Sequence, residues 1–153
     1  MLRACRTDAA GEALAKVAEG RTMSLAMSNA QGGLEPEDTG VTVDADGNLN
    51  GAAHFVQDAR KVQTLLVSAR SAAGVGLYLV DAGADGLDIA PDVIIDLTRD
   101  QATLSFAGVS AIEVATPGQG EAALLEALPE MLCIVSADMV GAGEWLLQTT
   151  AEY

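Results

Sequence analysis

The stretch VQTLLVSARSAAGVGLYLVDA (62–82) decides the fold class. Two apolar runs, VQTLLVSAR (62–70) and GVGLYLVDA (74–82), flank the small-residue turn SAA. Each run has strand length, is rich in Val and Leu, and is bounded by residues that favour turns. Two such runs read as neighbouring strands of one sheet.

Outward from this pair the same period continues. TMSLAMS (22–28) is a short apolar run. GVTVDADGNLNGAAHFV (40–56) reads as two strands around Asp46-Gly47, a dipeptide that accepts positive φ and so favours a hairpin. Further strands are expected at GLDIA (86–90), near Val93–Leu97, at QATLSFAGV (101–109) and at IEVA (112–115). Many short, turn-separated strands indicate an antiparallel sandwich or open barrel, not a βαβ array.

Helices are expected at both ends. Residues 8–19 read as a short helix with Asp8 as its N-cap and Gly20 as its stop. After Pro117-Gly118, Leu124, Leu125, Leu128, Leu132, Val135, Met139, Leu146 and Leu147 recur at helical steps. Pro129 is expected to kink this helix or restart it. The pattern reaches Tyr153 with no Gly, Asn or basic residue to cap it, as in a segment of a longer chain. The expected organisation is the end of a helical region at 1–20, a β-domain at 21–116 and the start of a second helical region at 117–153. The class is mainly β, a fragment of an α+β protein.

The 153 residues suffice for one domain, burying roughly 68–70% of the unfolded surface. Half are apolar, which argues against disorder. A net charge of −14 repels phosphate backbones and anionic lipid heads, so nucleic-acid and membrane-surface binding are not expected. Cys5 and Cys133 lack a CxxC pattern and are expected as free thiols of a cytoplasmic protein. No signal peptide is visible, and Met131–Val140 is too short to span a bilayer.

Chemistry is scarce. His54, the only histidine, has no ligand-type residue at metal spacing and reads as structural or surface. Gly74 and Gly76 open a strand instead of a helix, which excludes a dinucleotide phosphate loop there. Asp81, Asp85 and Asp88 lack the ligand spacing of a calcium loop. Glu35, Glu37 and Asp38 read as a solvated connection. No residue reads as catalytic and none as a metal ligand.

Four features in order resemble the acyl-CoA dehydrogenase family. AEGR (18–21) runs into TMSLAMSN (22–29) and a Gly-rich loop. The hairpin VTVDADGNLNGAAHFVQDA (41–59) resembles the family pattern Gly-x-Lys-x-Trp/Phe-Ile-Thr-Asn. TLLVSARSAAGVGLYLVDAGADGLDI (64–89) is similar to its paired apolar strands, and LSFAGV (104–109) with PGQGEAALLEAL (117–128) to its entry into a C-terminal helical domain.

That resemblance implies a β-domain covering FAD in an enzyme that oxidises an acyl-CoA thioester to its 2-enoyl form. It also implies an electron-accepting flavoprotein and a homo- or hetero-oligomer. Leu25, Met27 and Ser28 fall where the family's first strand meets the flavin ring. Phe55, Val56 and Gln57 fall where its second segment packs on the ring and reaches towards N5, and Gly33 falls in the loop approaching the acyl-CoA substrate or the cofactor phosphate. The family's catalytic Glu lies outside this segment.

Several positions depart from the family pattern. Asn29-Ala30 stand for Glu-Pro, Leu34-Glu35 for Ser-Asp, Gln57 for Thr, Ala53 for Lys and Leu132 for Arg. Each lost charge-assisted hydrogen bond costs about 1.5–3 kcal/mol. A non-catalytic subunit that assembles with an active partner is therefore the alternative, and an unrelated β-barrel binding module ranks last.

Overall fold

The computed structural model describes residues 1–152. Two short helices come first, α1 (Leu2–Cys5) and α2 (Asp8–Ala18). Eight strands follow: β1 (Met23–Ala26), β2 (Val41–Val43), β3 (Asn48–Gln57), β4 (Thr64–Ser71), β5 (Gly74–Asp81), β6 (Leu87–Pro91), β7 (Gln101–Ser110) and β8 (Ile112–Ala115). A long helix, α3 (Gln119–Ala151), completes the described chain.

The strands form one sheet in the order β6-β7-β3-β2-β4-β5-β8, with β1 added on β4. The sheet is not closed, since β6 and β8 are its outer strands. The expected mainly-β, open architecture with helices at both ends is present. Within it, the β2–β3 hairpin turns at Gly47, whose φ of 84° only glycine adopts without strain.

Most pairings are antiparallel, but two are parallel: β1 with the first half of β4, and β2 with β4 at Thr42↔Arg70. β5 occupies the whole of one edge of β4, and β1 and β2 share the other. This arrangement buries residues 64–69 on both faces of the sheet. Side chains alternate accordingly. Leu65, Val67 and Ala69 join Leu49, Val56, Leu104 and Val109 in one core, while Leu66 joins Leu77, Val114 and the helices in another.

The helices dock on that second core. Thr7 Oγ1 accepts from the Ala10 amide at 3.2 Å and donates to the Val114 carbonyl at 2.7 Å. Thr7 is therefore the N-cap in place of Asp8, which occupies the first helical position. An extended Thr that also ties the helix to β8 outcompetes a carboxylate already inside the first turn. The first turns of α3 bury Gly120, Ala123, Leu124 and Ala127.

Of the two outcomes expected at Pro129, a restart does not occur: one helix runs through it. Pro129 leaves the Leu125 carbonyl without its helical donor, and Leu125 is a half-exposed residue. Against expectation, residues 93–97 form no strand; Val93, Ile95 and Leu97 are 104%, 101% and 94% exposed. Here Asp96 accepts from the Thr98 amide and hydroxyl, a side-chain turn that competes with strand pairing. No helix among the described residues is long and apolar enough to cross a membrane. Both cysteines are free.

Candidate functional site

Where β1 and β2 share an edge of β4, β3 passes beside β1 without regular pairing. Two local ties join β3 to β1 and to the residues just after it. Ser24 Oγ donates to the Gln57 carbonyl at 2.6 Å, and the His54 amide donates to the Ser28 carbonyl at 2.9 Å. Between these ties the register of β3 slips against β7, between Ala53 and Val56. Such a bulge re-aims the side chains around it. Phe55 takes φ 59°, a left-handed conformation costly for an aromatic residue.

The result is an open cavity of about 730 Å³. Leu25, Met27, Ser28, Phe55 and Gln57 line it together, joined by His54, Leu34, Asp58, Lys61 and Met131 of α3. Phe55 is 46% exposed, and its ring lies against Gly32, where a Cβ would stand 3.6 Å from Cε2. Met27 is buried at the cavity floor.

Two residues of the expected set stand apart. Val56 is 1% exposed, packs in the main core and is absent from the lining. Gly33 is absent from the lining; it packs against Asp38, whose carboxylate accepts from the Glu35 amide at 3.1 Å. A Cβ at Gly33 would meet the Asp38 side chain, so a larger residue here displaces the carboxylate that caps the turn. Glu35 and Asp38 thus cap a short 3-10 turn over Pro36–Asp38. The Arg70 guanidinium holds the same turn through the Glu37 carbonyl.

The cavity's electrostatics are nearly neutral. Lys61 is the cation of its wall among the described residues, and it is spoken for: Nζ lies 2.9 Å from Asp58 Oδ1 and 3.7 Å from Asp100 Oδ2. The hydrogen bond to Asp58, with the charge of Asp100, holds this ammonium above the usual lysine range. Asp100 in turn accepts from Arg60 at 2.8 Å, and that bond holds its carboxyl below the usual range.

The fit to a flavin divides accordingly. The isoalloxazine suits an open cleft with apolar walls, one aromatic ring and a few polar groups. A pyrophosphate finds no free cation here. Among the described residues, no group of three His, Cys, Asp or Glu side chains could hold a metal ion.

A smaller cavity of about 190 Å³ lies between α2 and the sheet. Its charged wall is closed by Arg21, which pairs with Asp81 at 3.0 Å.

Sequence reasoning did not single out His54, Met131 or Lys61 as neighbours of the ring-facing set. Met131 comes from α3, far along the chain, while His54 and Lys61 stand close to Phe55 and Gln57 but carry no motif that marks them.

No family model matches the chain, and no curated protein matches it either. Solved structures do. An acyl-CoA dehydrogenase from Geobacillus kaustophilus is 20% identical with a TM-score of 0.67, over 78% of this chain and 36% of that one. A steroid ACAD variant is 28% identical with a TM-score of 0.61, over 74% and 32%. An FAD complex of PigA is 16% identical with a TM-score of 0.67, over 79% and 36%. The chain therefore spans about a third of the length of the structures it matches, and its fold is that of a segment of acyl-CoA dehydrogenases.

Proposed function

We propose that this chain is the flavin-covering segment of an FAD-dependent acyl-CoA dehydrogenase, which oxidises an acyl-CoA thioester to the 2-enoyl thioester. One observation carries the reading: Leu25, Met27, Ser28, Phe55 and Gln57, which the family resemblance assigns to the flavin ring, line a single cavity. The fold shared with solved acyl-CoA dehydrogenases supports the same reading.

In this reading the three sections are the end of a helical domain (1–20), a β-domain (21–116) and the start of a second helical domain (117–153). Phe55 packs against the flank of the ring. Ser28 and Gln57 offer a hydroxyl and a carboxamide to its polar edge, and Val56 contributes its backbone only. Gly33 shapes the loop on the substrate side. When bound, the flavin supplies the hydride acceptor for oxidation of the thioester's α,β-bond. The chain's own residues position that ring and exclude water from one face of it.

With Lys61 engaged by two carboxylates, the cofactor's phosphates and the CoA phosphates take their cations from elsewhere in the protein or from a partner subunit. The same reading includes an oligomer, an electron-accepting flavoprotein as redox partner and a cytoplasmic location.

The same shortage of cations favours one second reading, a non-catalytic subunit that assembles with an active partner. Visible absorbance separates the two. The full protein purified yellow, and bleached by acyl-CoA, supports the first reading. A colourless protein that gains flavin only with a co-expressed partner supports the second. A protein with no flavin in any assembly removes both.

A further inference from the structure

Three side chains on separate segments form a connected chain that ends at the cavity. Thr103 Oγ1 on β7 donates to Asp92 Oδ1 at 2.9 Å, and the same oxygen lies 3.4 Å from His54 Nδ1. Asp92 Oδ2 is buried with no hydrogen-bond partner among the described residues. His54 lines the 730 Å³ cavity beside Phe55, with ring centroids 6.0 Å apart.

The proton count fixes the direction of this chain. A threonine hydroxyl has one hydrogen to give. It has two candidate acceptors, a carboxylate oxygen and a neutral imidazole nitrogen. Hydrogen bonds to ionised acceptors are roughly twice as strong as neutral ones, so the carboxylate takes the hydrogen. Thr103 then offers the imidazole only lone pairs, and Nδ1 must carry the ring hydrogen. The other nitrogen, Nε2, is left as a bare acceptor.

We propose that Asp92 and Thr103 lock His54 in the Nδ1–H tautomer, so that Nε2 serves as a hydrogen-bond acceptor for a ligand edge bearing a polar N–H. This rests on the flavin reading for the ligand's identity: the matching group is the imide N–H of the isoalloxazine. A phosphate would instead require the imidazolium. His54 is thereby a ligand-positioning residue, with Thr103 and Asp92 acting through it.

His54 is the only histidine of the chain, so its imidazole nitrogens are read without ambiguity in [15N]histidine-labelled protein. At a pH where the ring is neutral, the expected spectrum shows a pyrrole-type Nδ1 and a pyridine-type Nε2. Thr103→Val is expected to shift the ring toward the Nε2–H tautomer, and Thr103→Ser to restore the original spectrum. A wild-type ring already in the Nε2–H form, or one indifferent to Thr103→Val, overturns the relay.

Riboflavin, which carries no phosphate, probes the ligand. It is expected to perturb Nε2 of the wild type, and Thr103→Val is expected to raise its dissociation constant about 3- to 10-fold, the worth of one neutral hydrogen bond. Phe55→Leu weakens riboflavin by loss of stacking while leaving the tautomer alone. Riboflavin binding that leaves Nε2 untouched overturns the assignment of the acceptor. If riboflavin fails to bind at all, the flavin reading falls, and the tautomer still decides whether the relay exists.

Discussion

The His54 amide donates to the Ser28 carbonyl across a single antiparallel bridge, and the next residue of β3 turns left-handed. The bridge holds the end of β1 to β3 at the point where β3 slips its register against β7. The cavity is thus framed by this backbone bridge and by the Ser24 hydroxyl on the Gln57 carbonyl, while Phe55 and Gln57 present exposed side chains to it. Substitutions there separate binding from folding.

Phe55 gives a test with a distinctive sign. In an ordinary strand, glycine is worse than alanine by about 0.5–1 kcal/mol. At φ 59° the order reverses, because alanine keeps the left-handed strain of about 1–2 kcal/mol and glycine does not. Urea midpoints are expected to place Phe55→Gly above Phe55→Ala by about 1 kcal/mol, with both losing flavin affinity. Alanine proving the more stable of the two contradicts the bulge geometry.

Gly120 lies where α3 meets the sheet. A Cβ there would stand 2.7 Å from Gly76 Cα and 2.8 Å from the Val75 carbonyl, both backbone that cannot swing aside. Gly120→Ala gains about 1 kcal/mol of helix propensity and forces the helix off β5. Overpacking of this kind costs about 1–3 kcal/mol, so a net loss of stability is expected by denaturant titration. A stabilised variant would mean that α3 docks more loosely than described.

Arg60 and Asp100 set an acid limb. The guanidinium holds the folded-state carboxyl below its usual range, so the unfolded chain binds more protons at this site in acid. The pair's contribution is therefore complete above the ordinary carboxylate range and disappears as pH falls through the lowered value. Comparing wild type with Arg60→Gln by urea unfolding, the stability gap is expected at pH 7 and is expected to close toward pH 2. A gap that widens in acid reverses the assignment.

Trp145 reports on α3. It is the one tryptophan of the chain, 64% exposed, and follows Leu132, Ile134, Val135, Met139 and Val140 along a helix with no cover. In dilute solution its fluorescence is expected to be red-shifted and freely quenched by acrylamide. At rising concentration the apolar helix surfaces meet and the emission moves to the blue. A buried-type spectrum at the lowest concentration would show that the helix folds back on the sheet.

Much of this fold was legible because period-two runs and turn residues act locally. The Asp46-Gly47 hairpin, the β4–β5 pair and the long C-terminal helix all follow from neighbours in sequence. Residues 93–97 deceived because their apolar spacing imitates a strand, while Asp96 and Thr98 form a turn. The parallel pairing of β1 with β4 had no local mark either, since it depends on which strand captures the open edge. For the site, the ring-facing set came from resemblance, and five of its six residues share a wall. His54 read as inert because Asp92 and Thr103, which give it a direction, are distant along the chain.

The register of β1 on β4, Met23 with Thr64 through Ala26 with Val67, has a consequence for the order of assembly. A strand that closes on a parallel neighbour so far downstream gains nothing until the intervening hairpin is in place, since loop entropy is charged before contacts reward it. During synthesis the β2–β3 hairpin can form first, and β1 waits as an apolar segment for its docking edge. The cavity beside Phe55 is thereby a late product of folding, and until it forms Leu25 and Met27 are exposed to chaperones and to other nascent chains.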